Sequence, residues 1–338
     1  MRLVIVDGPD GGGKTTFINQ LVDHYGFETL YHDQVQLKNG VPIPSVGKFE
    51  TYTQVVRDAR RRGRNFVIDR FYLTEIIYGQ VMRNGDIFGP HRRVLIERFL
   101  RSLSAKTVIC LPGLDQVQHN WAEKRKLPWD MVKKTGDYVD RLEKITSIYR
   151  LFSEEVDKNW ELIGYNYNAK PTDEAGYDRV IEQVMTNPRR LPYQVIGDPF
   201  AKFLIVGEQI NHKRQSFGLP FYSQEADSSS AYLTKAIVEA GLSERQLAFV
   251  NAVTPAGQVT DRHRHRHRRK SSGHRNLRTV VKALPQFQRC VALGKTAARV
   301  CSEQNLPYIE VPHPSFWKKF RHHDLHDYSV LLAEACRE

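Results

Sequence analysis

One glycine-rich pattern near the start of the chain constrains its fold more than any other feature. Residues 8–15 read Gly-Pro-Asp-Gly-Gly-Gly-Lys-Thr and satisfy G-x-x-x-x-G-K-[ST]. An apolar run suited to a strand, residues 3–6, precedes the pattern, and Phe17, Leu21 and Val22 follow it with helical spacing. This order of strand, loop and helix predicts a loop that wraps phosphate groups, in preference to a glycine-rich turn that matches by accident.

The residue types of this loop suit phosphate chemistry. Glycine lets backbone N–H groups approach phosphate oxygens closely, and the N terminus of the following helix adds partial positive charge. We expect Lys14 to reach the β- and γ-phosphates of a nucleoside triphosphate and the Thr15 hydroxyl to bind the metal, with ATP and Mg²⁺ as the cofactors. The predicted nucleotide-binding residues are Gly8, Asp10, Gly11, Gly12, Gly13, Lys14, Thr15 and Thr16.

The 338 residues are enough for two domains that each bury a core. Strand-like runs at 3–6, 66–68 and 107–111 alternate with helical spacing, which predicts a parallel sheet. A polar, proline-bearing stretch at 186–192 interrupts this alternation. We therefore predict domains at 1–190 and 200–338. The second domain also has an α/β pattern, with strand-like runs at 203–206, 247–250, 290–293 and 308–311.

Composition limits the class of protein. The net charge is +12, and residues 196–338 carry 21 Lys and Arg against 13 Asp and Glu, a net of +8. This basic half favours DNA or another polyanion as a partner. No apolar segment is long enough for a membrane span, and the N terminus lacks a secretory signal pattern, so we expect a cytoplasmic protein, in the host cytoplasm if a virus encodes it. The four scattered cysteines indicate buried free thiols.

Two motifs of the first half resemble the thymidylate and deoxynucleoside kinases. Residues 7–16 carry an acidic residue, Asp10, where the thymidylate kinase loop has one, and residues 66–75 resemble that family's Asp-Arg-aromatic motif at the end of a strand. The resemblance implies that Asp10 faces the deoxyribose of the acceptor. A carboxylate and a guanidinium at a strand end suit Asp69 as catalytic base and Arg70 as phosphate ligand, with a surface ion pair as the alternative.

A third segment, residues 121–126, follows the third strand at about the place where these kinases carry a basic lid. Lid cations supply charge to the transferring phosphoryl group, and we assign that role to Arg125, although Lys124 or Lys126 would also serve. A solvated helix face is the alternative.

Residues 203–338 resemble the uracil-DNA glycosylase superfamily in a series of short pieces that keep the family's order. These pieces are residues 203–208, 217–221, 249–251, 292–298 and 313–315. The resemblance implies a flipped base that stacks on Phe221 or Phe217, is read by Asn251, and is stabilised by His313, with Glu208 in the first motif. Gln209-Ile210-Asn211 departs from the family's small-Pro-Gly continuation, which leaves base excision open. Ordinary polar residues at strand ends are the alternative.

A basic segment interrupts the second half. Residues 261–278 hold eight Lys and Arg and one Asp, a net of +7, with alternating Arg and His over much of their length. We expect Arg264, Arg266 and Arg268 to bind DNA phosphates, with a disordered solubilising loop as the alternative. The interleaved arginines disfavour a metal site at the histidines.

These features predict an α/β fold: a P-loop kinase parallel sheet with helices on both faces, then a second α/β domain of uracil-DNA-glycosylase type. The favoured function is an ATP-dependent kinase that phosphorylates the hydroxymethyl group of 5-hydroxymethyluracil in DNA, with the second domain presenting the base. The alternative is a free dTMP or dNMP kinase fused to a DNA-binding or active glycosylase-like domain. A DNA-binding module with a vestigial kinase is disfavoured by the intact Gly13-Lys14-Thr15. The sequence leaves the oligomeric state open.

Overall fold

The structure, a computed structural model, describes most of the chain. The described residues are 1–32, 37–38, 41–42, 54, 56–57, 61–83, 89–124, 136–159, 161–192, 195–209, 220–221, 228–254, 273–320 and 324–337. Five candidate residues of the sequence analysis lie outside these ranges: Arg125, Phe217, Arg264, Arg266 and Arg268.

Strands and helices alternate along the chain. The strands are β1 (Leu3–Asp7), β2 (Glu28–His32), β3 (Leu37–Lys38), β4 (Val41–Pro42), β5 (Phe66–Asp69), β6 (Lys106–Cys110), β7 (Leu162–Tyr165), β8 (Ile196–Gly197), β9 (Phe203–Gln209), β10 (Leu247–Thr254), β11 (Gly273–His274), β12 (Arg289–Leu293) and β13 (Tyr308–Val311). The helices are α1 (Lys14–Tyr25), α2 (Tyr72–Arg83), α3 (Gly89–Arg101), α4 (Leu114–Lys124), α5 (Gly136–Lys158), α6 (Tyr177–Met185), α7 (Ser229–Glu239), α8 (Leu277–Lys282), α9 (Lys295–Glu303), α10 (Pro314–Phe320) and α11 (Leu325–Ala335).

The chain forms two compact units, and the first is discontinuous. Met1–Gly89 and Ser104–Pro188 make the first unit, while Pro90–Leu103 and Arg189–Glu338 make the second. A single uninterrupted domain over residues 1–190 does not describe this arrangement, because α3 belongs to the second unit. The physical reason lies in Arg98 of α3, whose guanidinium forms an ion pair with Glu244.

The first unit is built on a five-stranded parallel sheet in the order β2-β5-β1-β6-β7. Side chains alternate between the faces of a strand. Val4 of β1 belongs to a core cluster with Phe17 of α1 and Val180 of α6. Leu3 and Ile5 point to the opposite face and are also buried, so both faces of the sheet are covered, as a parallel sheet requires.

The second unit holds a sheet in the order β11-β10-β9-β12-β13, with β8 paired to β10. The four strands β10, β9, β12 and β13 are parallel, and β8 and β11 join β10 in antiparallel fashion. On one face, Leu204 and Val250 pack with Val280 of α8 and Val300 of α9. This unit is therefore the second α/β sheet that the sequence predicted.

Two further predictions concern the state of the cysteines and the lack of a membrane span. All four cysteines are free and buried, which confirms the interpretation of their scattered spacing. Among the described helices, none combines the length and the hydrophobicity needed to cross a bilayer.

Candidate functional site

The glycine loop of the first unit forms a tight cradle between β1 and α1. Gly8 has φ 134°, and a Cβ atom there would lie 2.7 Å from the carbonyl oxygen of Cys110. Gly13 has φ 87°, and its Cβ would lie 2.8 Å from the ring of Tyr167. Only glycine combines these conformations with such close approach. The loop sequence is thus explained by its own packing.

Lys14 lies inside this cradle. Its Nζ donates hydrogen bonds to the carbonyl oxygens of Gly8 at 2.9 Å and Pro9 at 2.7 Å, and its side chain is buried. Burial, reinforced by the nearby positive charge of Arg70, lowers the pKa of Lys14 to about 8. The loop therefore holds a cation where triphosphate oxygens would be stabilised.

The start of α1 fits an anion and a magnesium ion. Gly13 precedes the helix, and no side chain caps it among the described residues. Thr15 and Thr16 of its first turn are exposed. The described part of the chain contains no cluster of three His, Cys, Asp or Glu residues that could hold a metal. The Thr15 hydroxyl stays the predicted metal ligand of this loop.

Asp7 lies at the end of β1, directly before the glycine loop, and the sequence analysis predicted no role for it. Its fully buried carboxylate accepts hydrogen bonds from the backbone N–H groups of Gly8 (3.3 Å), Phe71 (3.2 Å) and Thr74 (3.3 Å), and from the Thr74 hydroxyl. Burial raises the pKa of Asp7 despite these donors. Asp7 thus ties the phosphate loop to the beginning of α2. Phe71 and Thr74 lie more than 60 residues away in sequence, so only the fold identifies this connection.

The segment after β5 places Asp69 and Arg70 beside the loop. Asp69 is buried at the end of the strand. Arg70 has φ 63°, and its guanidinium donates a hydrogen bond to the carboxylate of Asp10. Burial opposes the charge of Arg70, but Asp10 raises its pKa above the ordinary value. The two strand-end motifs therefore meet through the Asp10–Arg70 ion pair.

A cleft of about 450 Å³ opens next to this ion pair. Asp10 lies on its wall, and the backbone N–H of Asp10 donates a 2.8 Å hydrogen bond to the hydroxyl of Tyr78, which also lines the cleft. The complete lining is Pro9, Asp10, Tyr78, Met82, Trp121, Asp140, Arg141, Lys144, Ile145 and Ile148. Two aromatic side chains line the cleft, and they suit a planar molecule. The charged lining is mixed: the cations Arg141 and Lys144 lie with the carboxylates Asp10 and Asp140, and Lys144 is paired with Asp140 at 2.9 Å.

The segment predicted as a lid begins inside α4. Trp121 and Ala122 are buried in a cluster with Ile145 of α5, so this part of the segment is core rather than lid. Neighbouring Asn120 contacts the phosphate loop directly: its Nδ2 donates to the carbonyl of Gly11 and to the Tyr167 hydroxyl, both at 2.8 Å. Sequence reasoning missed Asn120, because a lone amide on a helix carries no motif.

In the second unit, the predicted base-binding side chains converge at the carboxyl ends of the parallel strands. A Cβ atom on Gly207 would lie 2.7 Å from both Asn251 Oδ1 and the Phe221 ring. A Cβ on Gly294 would lie 3.0 Å from Glu208 Oε1 and 3.2 Å from the Cβ of His313.

Gly207 directly precedes Glu208 and is the strand partner of Asn251. The structure therefore brings together Glu208, Phe221, Asn251 and His313 at one end of the sheet.

The His313 ring is oriented by the following turn. Its Nδ1 accepts a hydrogen bond from the backbone N–H of Ser315 at 3.2 Å and lies 2.6 Å from the Ser315 hydroxyl. Burial lowers the pKa of His313, and Glu208 only partly offsets this effect. The bonded Nδ1 is thus an acceptor, and Nε2 of the neutral ring carries the proton as a donor.

Hydrogen bonds to their carbonyl groups fix the backbone of Asn251 and Phe221. Asn251 is 4% exposed, and its carbonyl accepts a 3.2 Å hydrogen bond from Nε of Arg275. Arg275 lies in the basic segment 261–278, and this hydrogen bond supports the strand. Phe221 has φ 54°, and its carbonyl accepts a hydrogen bond from the Ser230 hydroxyl.

Comparison with known proteins bears on the two units separately. Residues 195–331 match the family model described as Uracil DNA glycosylase superfamily. This match confirms the resemblance predicted for the second half. Curated proteins gave no match to the chain. Among solved structures, the YorR protein from Bacillus subtilis, in complex with phosphorylated GDP, is similar at 18% identity and a TM-score of 0.40, covering 53% of this chain and 94% of YorR. The strand, glycine loop and helix of the first unit have the order of a phosphate-binding P-loop.

Proposed function

We propose that this protein is an ATP- and Mg²⁺-dependent kinase that phosphorylates the hydroxymethyl group of 5-hydroxymethyluracil in DNA. The observation that carries the proposal is the convergence of Phe221, Asn251 and His313 in a chain that also has an intact phosphate loop. A base-reading unit has no evident task in an enzyme that acts only on free nucleotides. Its net positive charge suits DNA phosphates.

Phosphoryl transfer in this proposal uses the residues around the loop. The glycine loop and Lys14 bind the β- and γ-phosphates, while Thr15 holds the magnesium ion, which when bound neutralises phosphate charge. Asp69 accepts the proton of the attacking hydroxyl, and Arg70 binds the transferred phosphoryl group. Arg70 is already charged and oriented by Asp10, so it needs little reorganisation.

Recognition of the acceptor in this proposal belongs to the second unit. Phe221 offers a ring on which the base stacks, and the Asn251 amide pairs with the base edge. His313 presents an N–H donor because its Nδ1 is already bonded to the Ser315 segment. Neutral donors of this kind suit a carbonyl-rich pyrimidine such as uracil.

A specific observation favours a second candidate, a free dTMP-type nucleotide kinase. The cleft beside Asp10 is lined by Tyr78 and Trp121, with Arg141 and Lys144 at α5. Aromatic walls would accept a base, and Arg141 would accept a monophosphate, whereas Lys144 is already paired with Asp140. In this case the second unit would bind DNA, or excise bases from it, without taking part in phosphorylation.

The deciding experiment offers labelled ATP with either DNA containing 5-hydroxymethyluracil or free dTMP-type nucleotides. We expect wild type to label the DNA. Asn251→Ala should reduce this label by roughly 5- to 150-fold, since a lost buried hydrogen bond costs about 1–3 kcal/mol. It should leave ATP affinity unchanged.

Lys14→Met serves as the matched control, because it should abolish transfer to either acceptor. Label that appears only on the free nucleotide would replace the favoured function with the second candidate.

A further inference from the structure

Helix α3 brings a fully buried guanidinium into the second unit. Arg98 has 0% side-chain exposure, and it forms a two-point ion pair with Glu244: Nε to Oε2 at 2.7 Å and Nη2 to Oε1 at 2.5 Å. A planar, bidentate pair of this kind fixes the guanidinium plane as well as its position. Arg98 therefore presents one defined face to its surroundings.

That face covers the ring of Phe249 in β10. The guanidinium carbon lies 4.0 Å from the ring centroid, a close cation–π contact. Phe249 in turn meets the Phe221 ring edge to face, with centroids 5.8 Å apart. Phe221 is the residue on which the proposed flipped base stacks. A first chain of contacts thus runs from Arg98 to the side chain of Phe221.

A second chain of contacts reaches the backbone of the same residue. Nη1 of Arg98 donates to the Thr234 hydroxyl at 3.4 Å, and this hydroxyl donates to the Ser230 carbonyl at 3.1 Å. The Ser230 hydroxyl then donates to the carbonyl of Phe221. The left-handed conformation of Phe221, unfavourable for a side chain with a Cβ, requires such support.

We infer that Arg98 is a positioning residue for base recognition, which holds the stacking ring of Phe221 through Phe249 and through Thr234 and Ser230. The inference rests on the proposed base-binding role of the second unit. It gives α3, which lies between the kinase-like motifs in sequence but belongs to the second unit, a part in the base pocket of that unit. Arg98 does not touch the base itself.

The test compares two single-stranded oligonucleotides that differ at one position, which holds either 5-hydroxymethyluracil or an abasic tetrahydrofuran. Fluorescence anisotropy at fixed salt gives the ratio of their affinities. Both oligonucleotides make the same phosphate contacts, and a loss of folded protein lowers both affinities equally, so the ratio reports base recognition alone. In wild type we expect tighter binding to the base-containing strand.

Arg98→Lys keeps the charge but loses the planar fork, and it should reduce the ratio about tenfold while binding of the abasic strand is unchanged. Arg101→Lys is the matched control: Arg101 also approaches Glu244, at 3.9 Å, and should retain the wild-type ratio. Phe249→Leu should lower the ratio as well. The double variant Arg98→Lys/Phe249→Leu should have the same ratio as Arg98→Lys alone, because the two residues act in one chain of contacts.

If Arg98→Lys does not fold, Thr234→Val interrupts the second chain of contacts alone and should lower the ratio about threefold. A wild-type ratio that persists in folded Arg98→Lys, or in Thr234→Val when Arg98→Lys does not fold, would overturn the inference and leave the proposed function standing. If the wild-type protein itself binds the two oligonucleotides equally well, base recognition by the second unit is overturned, and the inference with it.

Discussion

Lys14 couples nucleotide binding to protonation. Its ammonium group is buried and hydrogen-bonded to two loop carbonyls, and its pKa is lowered to about 8. A triphosphate in the loop would stabilise the charged form and raise this pKa again. Proton uptake must therefore accompany ATP binding at any pH at which Lys14 is partly deprotonated in the unbound protein.

We predict that ATP affinity varies little with pH below the pKa of Lys14 and weakens roughly tenfold per pH unit well above it. Isothermal titration calorimetry at pH 8.5, in buffers of different ionisation enthalpy, should show proton uptake. Lys14→Met should bind weakly and without this uptake. Wild-type binding at pH 8.5 with no proton exchange would contradict the prediction.

Asp69 is the buried carboxylate that the proposed mechanism uses as its general base. Asp69→Asn should lower kcat by about 10²-fold or more and change KM little, because a general base acts mainly in the transition state. Steady-state kinetics on the labelled acceptor measures both constants. Asp115→Asn, an exposed change on α4, is the control and should match wild type. An unchanged kcat in Asp69→Asn would make the residue structural.

The sequence identified some residues of the site and missed others for a physical reason. Lys14 and Thr15 belong to one short loop, so their spacing alone predicts their positions. Asp7 accepts a hydrogen bond from Phe71, 64 residues along the chain, and Asn120 donates one to Gly11, 109 residues away. No local pattern encodes such contacts, which exist only once β1, α2 and α4 have packed.

At the level of elements, α4 acts as a support for the phosphate loop. Asn120 fixes the Gly11 carbonyl and the Tyr167 hydroxyl, and Gln116 in turn donates to the Asn120 side chain at 2.8 Å. The loop therefore adopts its shape before any nucleotide binds. Such preorganisation lowers the conformational cost of binding.

We predict that Asn120→Ala weakens ATP binding by roughly tenfold, since each lost hydrogen bond contributes about 1 kcal/mol. Gln118→Ala is a matched control on the same helix, because Gln118 bonds to Thr146 of α5 rather than to the loop. Titration of both variants with a nucleotide analogue measures the difference. Equal affinity in the two variants would show that α4 does not shape the loop.

Elements differ in how far the sequence predicts them. The central strands were predicted with small errors at their ends, because strands buried on both faces are continuous apolar runs. The segment 121–126 resembles the kinase lid by its place after the third strand. Its first residue, Trp121, packs into the core, and Arg125 lies outside the described residues. Charged residues at the end of an amphipathic helix resemble a basic loop when only the sequence is considered.

At the scale of the whole molecule, the chain passes from the first unit to the second, returns, and crosses again. The sequence could not predict that residues 90–103 belong to the second unit, since α3 follows α2 with ordinary helical spacing. Only contacts formed across the second unit, such as the Arg98–Glu244 pair and the hydrogen bond from Leu191 N to Ser102 O, assign α3 to it.

We predict that a fragment of residues 189–338 lacks a cooperative thermal transition, and that adding residues 90–103 through a flexible linker restores one. Loss of one partner of a buried ion pair costs about 3–5 kcal/mol, a large part of a domain stability of about 5–15 kcal/mol. Circular dichroism melts of the two fragments test this. A control linker fragment carrying Arg98→Met should be less stable. Cooperative unfolding of residues 189–338 alone would contradict the prediction.

The separation of Arg98 from Glu244 also sets the order of events during protein synthesis. The two residues lie 146 positions apart, so at about 5–20 residues per second the ribosome makes α3 roughly 7–30 s before its ion-pair partner. During that interval α3 has no folded second unit to join, and its buried-type side chains are open to other contacts. In a nascent chain, the Arg98 guanidinium therefore stays without its ion-pair partner until residue 244 has left the exit tunnel.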